Sequence, residues 1–182
     1  MKWISQESSE LLVPVRFRQD RPIMNDTQFQ KNLEEGIYYE NKVYDYLIAN
    51  NSYVEDSRHQ KYEPGSGPRL RGTSGTLVLP DFTVYNKFAD KGNYAVDVKF
   101  KRSIYPAHGK MCFTVDNKYL DYKRIVEIKK LDFLALAFVY ENKVYFYKDS
   151  DCIGDITYDN QYSKGKVYLF EHDITKIKYI IK

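Results

Sequence analysis

Between residues 26 and 50 the apolar positions recur every three or four residues, at Phe29, Leu33, Gly36/Ile37, Val43/Tyr44 and Leu47/Ile48. That spacing lines one face of a helix. Thr27 with Gln30 fits a capping box at its start, and Asn50–Asn51 fit its exit. Residues 76–85 and 93–101 change to strand-like patterns around a turn containing Lys91 and Gly92. In the second, Tyr94, Val96, Val98 and Phe100 alternate with Ala95, Asp97, Lys99 and Lys101, so the two sets face opposite ways. Residues 116–131 return to helical spacing, with Tyr119, Tyr122, Val126 and Leu131 sharing part of one face. FLALAFVYENKVYFYK, 133–148, reads as a hairpin turning at Glu141-Asn142. Its first strand is apolar at nearly every position, which predicts a central place in a sheet. Short strands are expected near 152–158, 166–170 and 176–181.

The remaining stretches are polar or broken. Residues 1–25 form an arm or edge strand interrupted by Pro14 and Pro22. Residues 53–63 are polar and extended, 63–75 a Gly/Pro/Ser loop, and 102–112 irregular. The order predicts an α/β (α+β) fold with a central mixed β-sheet flanked by helices. One domain is expected over 26–182, with its core in 26–148 and added strands in 149–182.

Bulk composition narrows the classes. The chain has 182 residues, 43% of them hydrophobic, which suits one domain with a sizeable core. No apolar run approaches the roughly 20 residues that span a bilayer. The opening MKWISQESSELLVPV does not read as a signal peptide. Cys112 and Cys152 lie far apart without a CxxC motif, which favours reduced thiols and an intracellular, cytoplasmic setting. His59, His108 and His172 show no zinc spacing, and no phosphate-binding glycine loop is present. A net charge of +3 is too small to imply nucleic acid by itself. Residues 99–130, however, carry nine Lys/Arg against three acids.

Three acids sit where a core should not want them. Acid-x-Lys tripeptides occur six times in the chain, so the motif alone is weak. Only Asp97-Val98-Lys99 lies inside an alternating strand, which puts Asp97 and Lys99 on one face. The preceding strand supplies Asp81, directly after Pro80. Pairing these strands brings two carboxylates together. One of them must then hold a proton unless a cation sits between them. Mg²⁺ suits such a place, because it takes one or two carboxylates plus waters and phosphate oxygens. Glu40 falls on the apolar stripe of the first helix and needs a partner there, or must reach out to water.

Taken together, Gly36-x-x-x-Glu40 on a helix, Pro80-Asp81, Asp97-x-Lys99 and a following helix with tyrosines and lysines resemble the PD-(D/E)XK nuclease superfamily over residues 26–148. The resemblance implies a restriction-endonuclease-like core and Mg²⁺-dependent cleavage of DNA phosphodiester bonds by an endonuclease, with Mn²⁺ able to substitute. It also implies that Asp81, Asp97 and the Val98 carbonyl hold the metal, with Glu40 reaching it directly or through water. Lys99 would position the attacking water and neutralise charge. Lys118 and Tyr122, four apart on the second helix, stand where the family often places a polar residue, although glutamine is common at the first of those positions. Related resolvases and restriction enzymes usually act as dimers, so a homodimer is compatible with this reading.

The substrate track expected from charge comprises Arg69 and Arg71 in the loop before Asp81, with Lys101, Arg102, Lys110, Lys118, Lys123 and Arg124; the resemblance adds Tyr122. Lysines and arginines that grip phosphates give salt-dependent binding without sequence preference. Two other classes remain. One is a non-catalytic nucleic-acid-binding or protein-interaction module on a nuclease-like fold; the other is a structural protein with a tyrosine-rich sheet.

Overall fold

The computed structural model describes residues 26–51, 53–59, 68–72, 75–87, 91–160 and 163–181; the expected arm over 1–25 lies outside them. The described elements run α1 (Asp26–Asn50), β1 (Tyr53–Asp56), β2 (Arg69–Gly72), β3 (Gly75–Val78), β4 (Phe82–Tyr85), β5 (Tyr94–Phe100), β6 (Tyr105–Ala107) and β7 (Lys110–Val115). They continue with α2 (Lys118–Ile128), β8 (Phe133–Tyr140), β9 (Lys143–Lys148), β10 (Cys152–Asn160), β11 (Ser163–Glu171) and β12 (Ile177–Ile180). Among the described residues no helix is long and apolar enough to cross a membrane.

A mixed six-stranded sheet in the order β1-β4-β5-β8-β9-β12 forms the centre. Its one parallel pair is β5–β8, in register from Tyr94↔Phe133 to Phe100↔Val139. As its apolar run predicts, β8 is central: Leu134 to Val139 are all buried. Its residues divide between two cores. Ala135, Ala137 and Val139 join Val43 and Leu47 of α1, Phe82, Val84, Val96 and Val98 on one face. Leu134, Leu136 and Phe138 join Ala95, Phe113, Tyr119, Tyr122 and Phe170 on the other. Leu47 and Phe82 are fully buried, and each such side chain contributes about 1.5–3 kcal/mol.

The second face is not covered by a helix alone. A four-stranded antiparallel sheet, β10-β11-β7-β6, shares it with α2. The protein is therefore mostly sheet. Residues 102–112, expected to be irregular, form much of the β6–β7 hairpin, which turns at His108 and Gly109 with φ of 49° and 71°. The 63–75 loop ends in strand: β2 pairs with β3 from Arg69↔Val78 to Gly72↔Gly75. The expected strand 76–85 is two strands, because Pro80 has no N–H to give a ladder. The Glu141-Asn142 turn has φ of 50° and 58°, the left-handed pair that a tight two-residue hairpin requires.

In α1 the predicted stripe is only half used. Phe29, Leu33 and Ile37 are 53%, 44% and 44% exposed, whereas Val43 and Leu47 are at 0%. Twenty-five residues make about 37 Å of helix, and its packing on the sheet begins near Tyr39, which stacks on Phe100 at 4.7 Å. The exit is as expected: the Asn50 and Asn51 side chains donate to the carbonyls of Tyr46 and Leu47, each at 2.7 Å. The helix already includes Asp26, so Thr27 lies within it and not at its cap.

Candidate active site

The break at Pro80 creates the site. The β4–β5 ladder ends at Phe82↔Val96, so the backbone of Val98, two residues on, faces an edge that β4 no longer covers. The Asp81 carboxylate fills the place: its Oδ2 accepts from Val98 N–H at 2.8 Å. The Val98 carbonyl points to the same edge as its N–H. The Asp81 main chain is fixed from behind, with its carbonyl accepting from Ser57 N–H at 2.9 Å.

Asp97 and Lys99 follow the strand alternation onto the α2 face. Asp97 is 2% exposed. Lys99 Nζ lies 2.5 Å from its Oδ2 and donates to the Tyr122 hydroxyl at 3.3 Å. The lysine also sits 5.3 Å from the Tyr122 ring centre. Tyr122, at 2% exposure, is a wall of the site and not an open face for a base.

These groups perturb one another strongly. Burial first, and then the Asp97 charge, drive the Asp81 carboxyl well above its ordinary range; Lys99 pulls the other way. Burial opposes the charge on Lys99, but Asp97, Tyr122 and Asp81 together hold its ammonium well above the usual lysine range. Lys99 is therefore a cation and a donor at neutral pH, not a base. The Tyr122 phenol is pushed up by burial and by Asp97, so it stays protonated.

Glu40 approaches from α1, on the opposite face of the sheet. Its Oε2 lies 3.7 Å from Arg58 Nη1, and its charge adds to the rise at Asp81. Arg58 is the residue the sequence did not flag. Its guanidinium donates to Asp56 at 2.6 Å and to Asn41 Oδ1 at 2.7 Å, and lies over the Phe82 ring at 4.8 Å. Nothing in a polar stretch such as DSRH announces that role.

The donor set suits a hard divalent cation. Two buried carboxylates share the site with one ammonium, which is paired with Asp97, and the raised Asp81 carboxyl gains from any further cation placed beside it. The Val98 carbonyl lies at the same edge. Among the described residues no three His, Cys, Asp or Glu side chains stand close enough to surround a metal by themselves. Mg²⁺ does not need them to, since it keeps several waters and takes one or two carboxylates.

The expected substrate track divides. Arg69 and Arg71 are exposed on β2. Their hairpin is tied to α2 by Val78 N–H donating to Asp121 Oδ2 at 3.2 Å. Lys118 and Lys123 are exposed on α2. Arg102 is engaged with Glu35 and Asn32 of α1, at 2.5 and 2.6 Å. Lys101 turns inward, donating to the Thr114 carbonyl at 2.5 Å. Its pKa is lowered to about 8, by burial first and then by Lys99. No family model matches the chain, and neither curated proteins nor solved structures give a match, so its own residues carry the functional reading.

Proposed function

We propose that the protein is a Mg²⁺-dependent nuclease that hydrolyses DNA phosphodiester bonds, an endonuclease with a restriction-endonuclease-like core of the PD-(D/E)XK type. The observation that carries this is the acid pair at the strand break. Asp81 replaces a missing β-ladder partner beside Val98, while Asp97, one residue earlier, is buried against Lys99. A fold without a cation to bind would have no reason to keep two coupled acids there.

Asp81, Asp97 and the Val98 carbonyl would hold Mg²⁺, with Glu40 reaching it through water, and Mn²⁺ would substitute. The metal, when bound, polarises the non-bridging phosphate oxygen and favours the deprotonated form of a bound water. The protein's own groups do the rest. Lys99, fixed between Asp97 and Tyr122, donates to the attacking water or to the phosphate and offsets developing charge. Tyr122 holds the lysine in place. Arg69 and Arg71 on the β2–β3 hairpin, with Lys118 and Lys123 on α2, would grip the phosphate backbone on either side.

The test is a labelled panel of single-stranded, double-stranded, nicked and four-way-junction DNA, with Mg²⁺, Mn²⁺ or EDTA, alongside Asp97→Ala. Metal-dependent cutting that the variant lacks is the expected result. A folded protein that binds DNA in a salt-dependent way and cuts none of it would favour the non-catalytic module. That no three-carboxylate cluster stands among the described residues is the observation on that side.

A further inference from the structure

A cavity of about 430 Å³ lies at the Tyr94 end of β5, between the end of α1 and the edge formed by β9 and β12. Along β5, Tyr94 in this cavity stands three residues, about 10 Å, from Asp97, and the two side chains point to opposite faces of the sheet. Its floor is aromatic. Tyr94 and Phe133 face each other across the β5–β8 register, with ring centres 4.8 Å apart and planes at 7°. Phe146 extends the floor.

The rim is cationic. Lys91, Lys148, Lys176 and Lys178 line it with a single acid, Asp151. That acid is already engaged twice: Oδ1 pairs with Lys176 Nζ at 2.9 Å, and Oδ2 accepts from Lys148 N–H at 2.8 Å. Lys91, Lys148 and Lys178 have no ion-pair partner among the described residues. Lys148 Nζ instead rests 4.4 Å above the centre of the Phe133 ring. That lysine is exposed, so its head can leave the ring for an anion. Four lysines against one aspartate give this one cavity a charge as large as the +3 of the whole chain.

We propose that this cavity binds a nucleoside phosphate, its base packed on the Tyr94–Phe133–Phe146 floor and its phosphate held by Lys91, Lys148 and Lys178. Phosphate alone would use the lysines but leave the aromatic floor idle. A flat uncharged ring would use the floor but leave three cations unmatched. The volume falls within the roughly 300–1,000 Å³ typical of small-ligand sites.

The experiment is isothermal titration of the full chain with adenosine 5′-monophosphate, uridine 5′-monophosphate, adenosine and inorganic phosphate. Both nucleotides should bind at least about tenfold more tightly than adenosine or phosphate, each of which lacks half of the recognition. Lys148→Glu with Lys178→Glu, both exposed positions, should weaken nucleotide binding at least tenfold without lowering the melting temperature. Phe133→Leu should weaken nucleotide binding but not phosphate binding. Asp97→Ala should leave the affinity unchanged, which separates this site from the proposed nuclease centre. The proposal is overturned if nucleotides do not bind at millimolar concentration, or if phosphate binds as well as they do. It is equally overturned if the double lysine variant binds normally, or if Asp97→Ala abolishes binding.

Discussion

Lys101→Met offers a quantitative test of the electrostatics around the site. The Lys101 pKa is lowered from 10.5 to about 8. At about 1.4 kcal/mol per unit, holding its ammonium inside the fold costs ~3 kcal/mol at neutral pH. A lysine with a depressed folded pKa binds protons less well folded than unfolded. Its penalty is therefore full below about pH 8 and disappears as the pH rises to the unfolded value near 10.5. Methionine fills similar space without the charge but gives up the bond to the Thr114 carbonyl, at a cost of about 1 kcal/mol. The variant should be more stable than the parent by about 2 kcal/mol at pH 7, and less stable by about 1 kcal/mol near pH 10.5. Urea denaturation of both proteins across that range measures this, because the difference cancels the tyrosines that titrate in both. A difference that does not change with pH, or a variant less stable at pH 7, would mean that the Lys101 ammonium is solvated and the burial argument is wrong.

Further outcomes are expected at the site and in the core. Asp97→Ala should lower metal-dependent cutting at least about a hundredfold in single-turnover assays, as for loss of a transition-state charge stabiliser. Asp81→Asn keeps an acceptor for Val98 N–H but removes the raised acid, whose stabilising contribution is lost as pH rises through its folded pKa. The variant should therefore melt higher than the parent near pH 8 without metal, and should lack the upward shift expected of the parent on adding Mg²⁺. Tyr122→Phe should reduce kcat about tenfold with little change in KM, because it leaves Lys99 held by Asp97 alone without touching substrate contacts. Leu47→Ala should cost about 2–5 kcal/mol in chemical denaturation, since it empties a fully buried place between α1 and the sheet.

How much of this was readable in the chain varied by element. The β5 alternation placed Asp97 and Lys99 on one face, and the structure shows them paired. The apolar run of β8 announced its central position, whereas the expected strand 76–85 ran straight through Pro80, where the ladder breaks and Asp81 sits. Long-range matters were not legible. Sheet coverage by β7 and β11 depends on pairing between residues more than fifty apart, Tyr168↔Val115 for example, and no local period encodes that. The stripe on α1 predicted burial along its whole length, but periodicity does not say how far the sheet reaches beneath it. Lys101 shares a face with Lys99 in sequence, yet whether its head meets solvent or a carbonyl depends on where β7 lies.

The lone parallel pair has a consequence for the order of folding. Asp81 and Asp97 are brought together by β4 and β5, neighbours in sequence, whereas Lys99 meets Tyr122 only after the long connection through β6, β7 and α2 returns to lay down β8. Local pairings close early and distant ones late. Asp81, Asp97 and Lys99 would then meet before α2 brings Tyr122 over them, and the barrier to folding would rise as Asp81 ionises into the closing site. Refolding of the metal-free chain should accelerate on moving from pH 7 towards pH 5, and Asp81→Asn should flatten that dependence. In a growing chain, Asp81, Asp97 and Lys99 would be open to the surrounding solution until α2 closes Tyr122 over them.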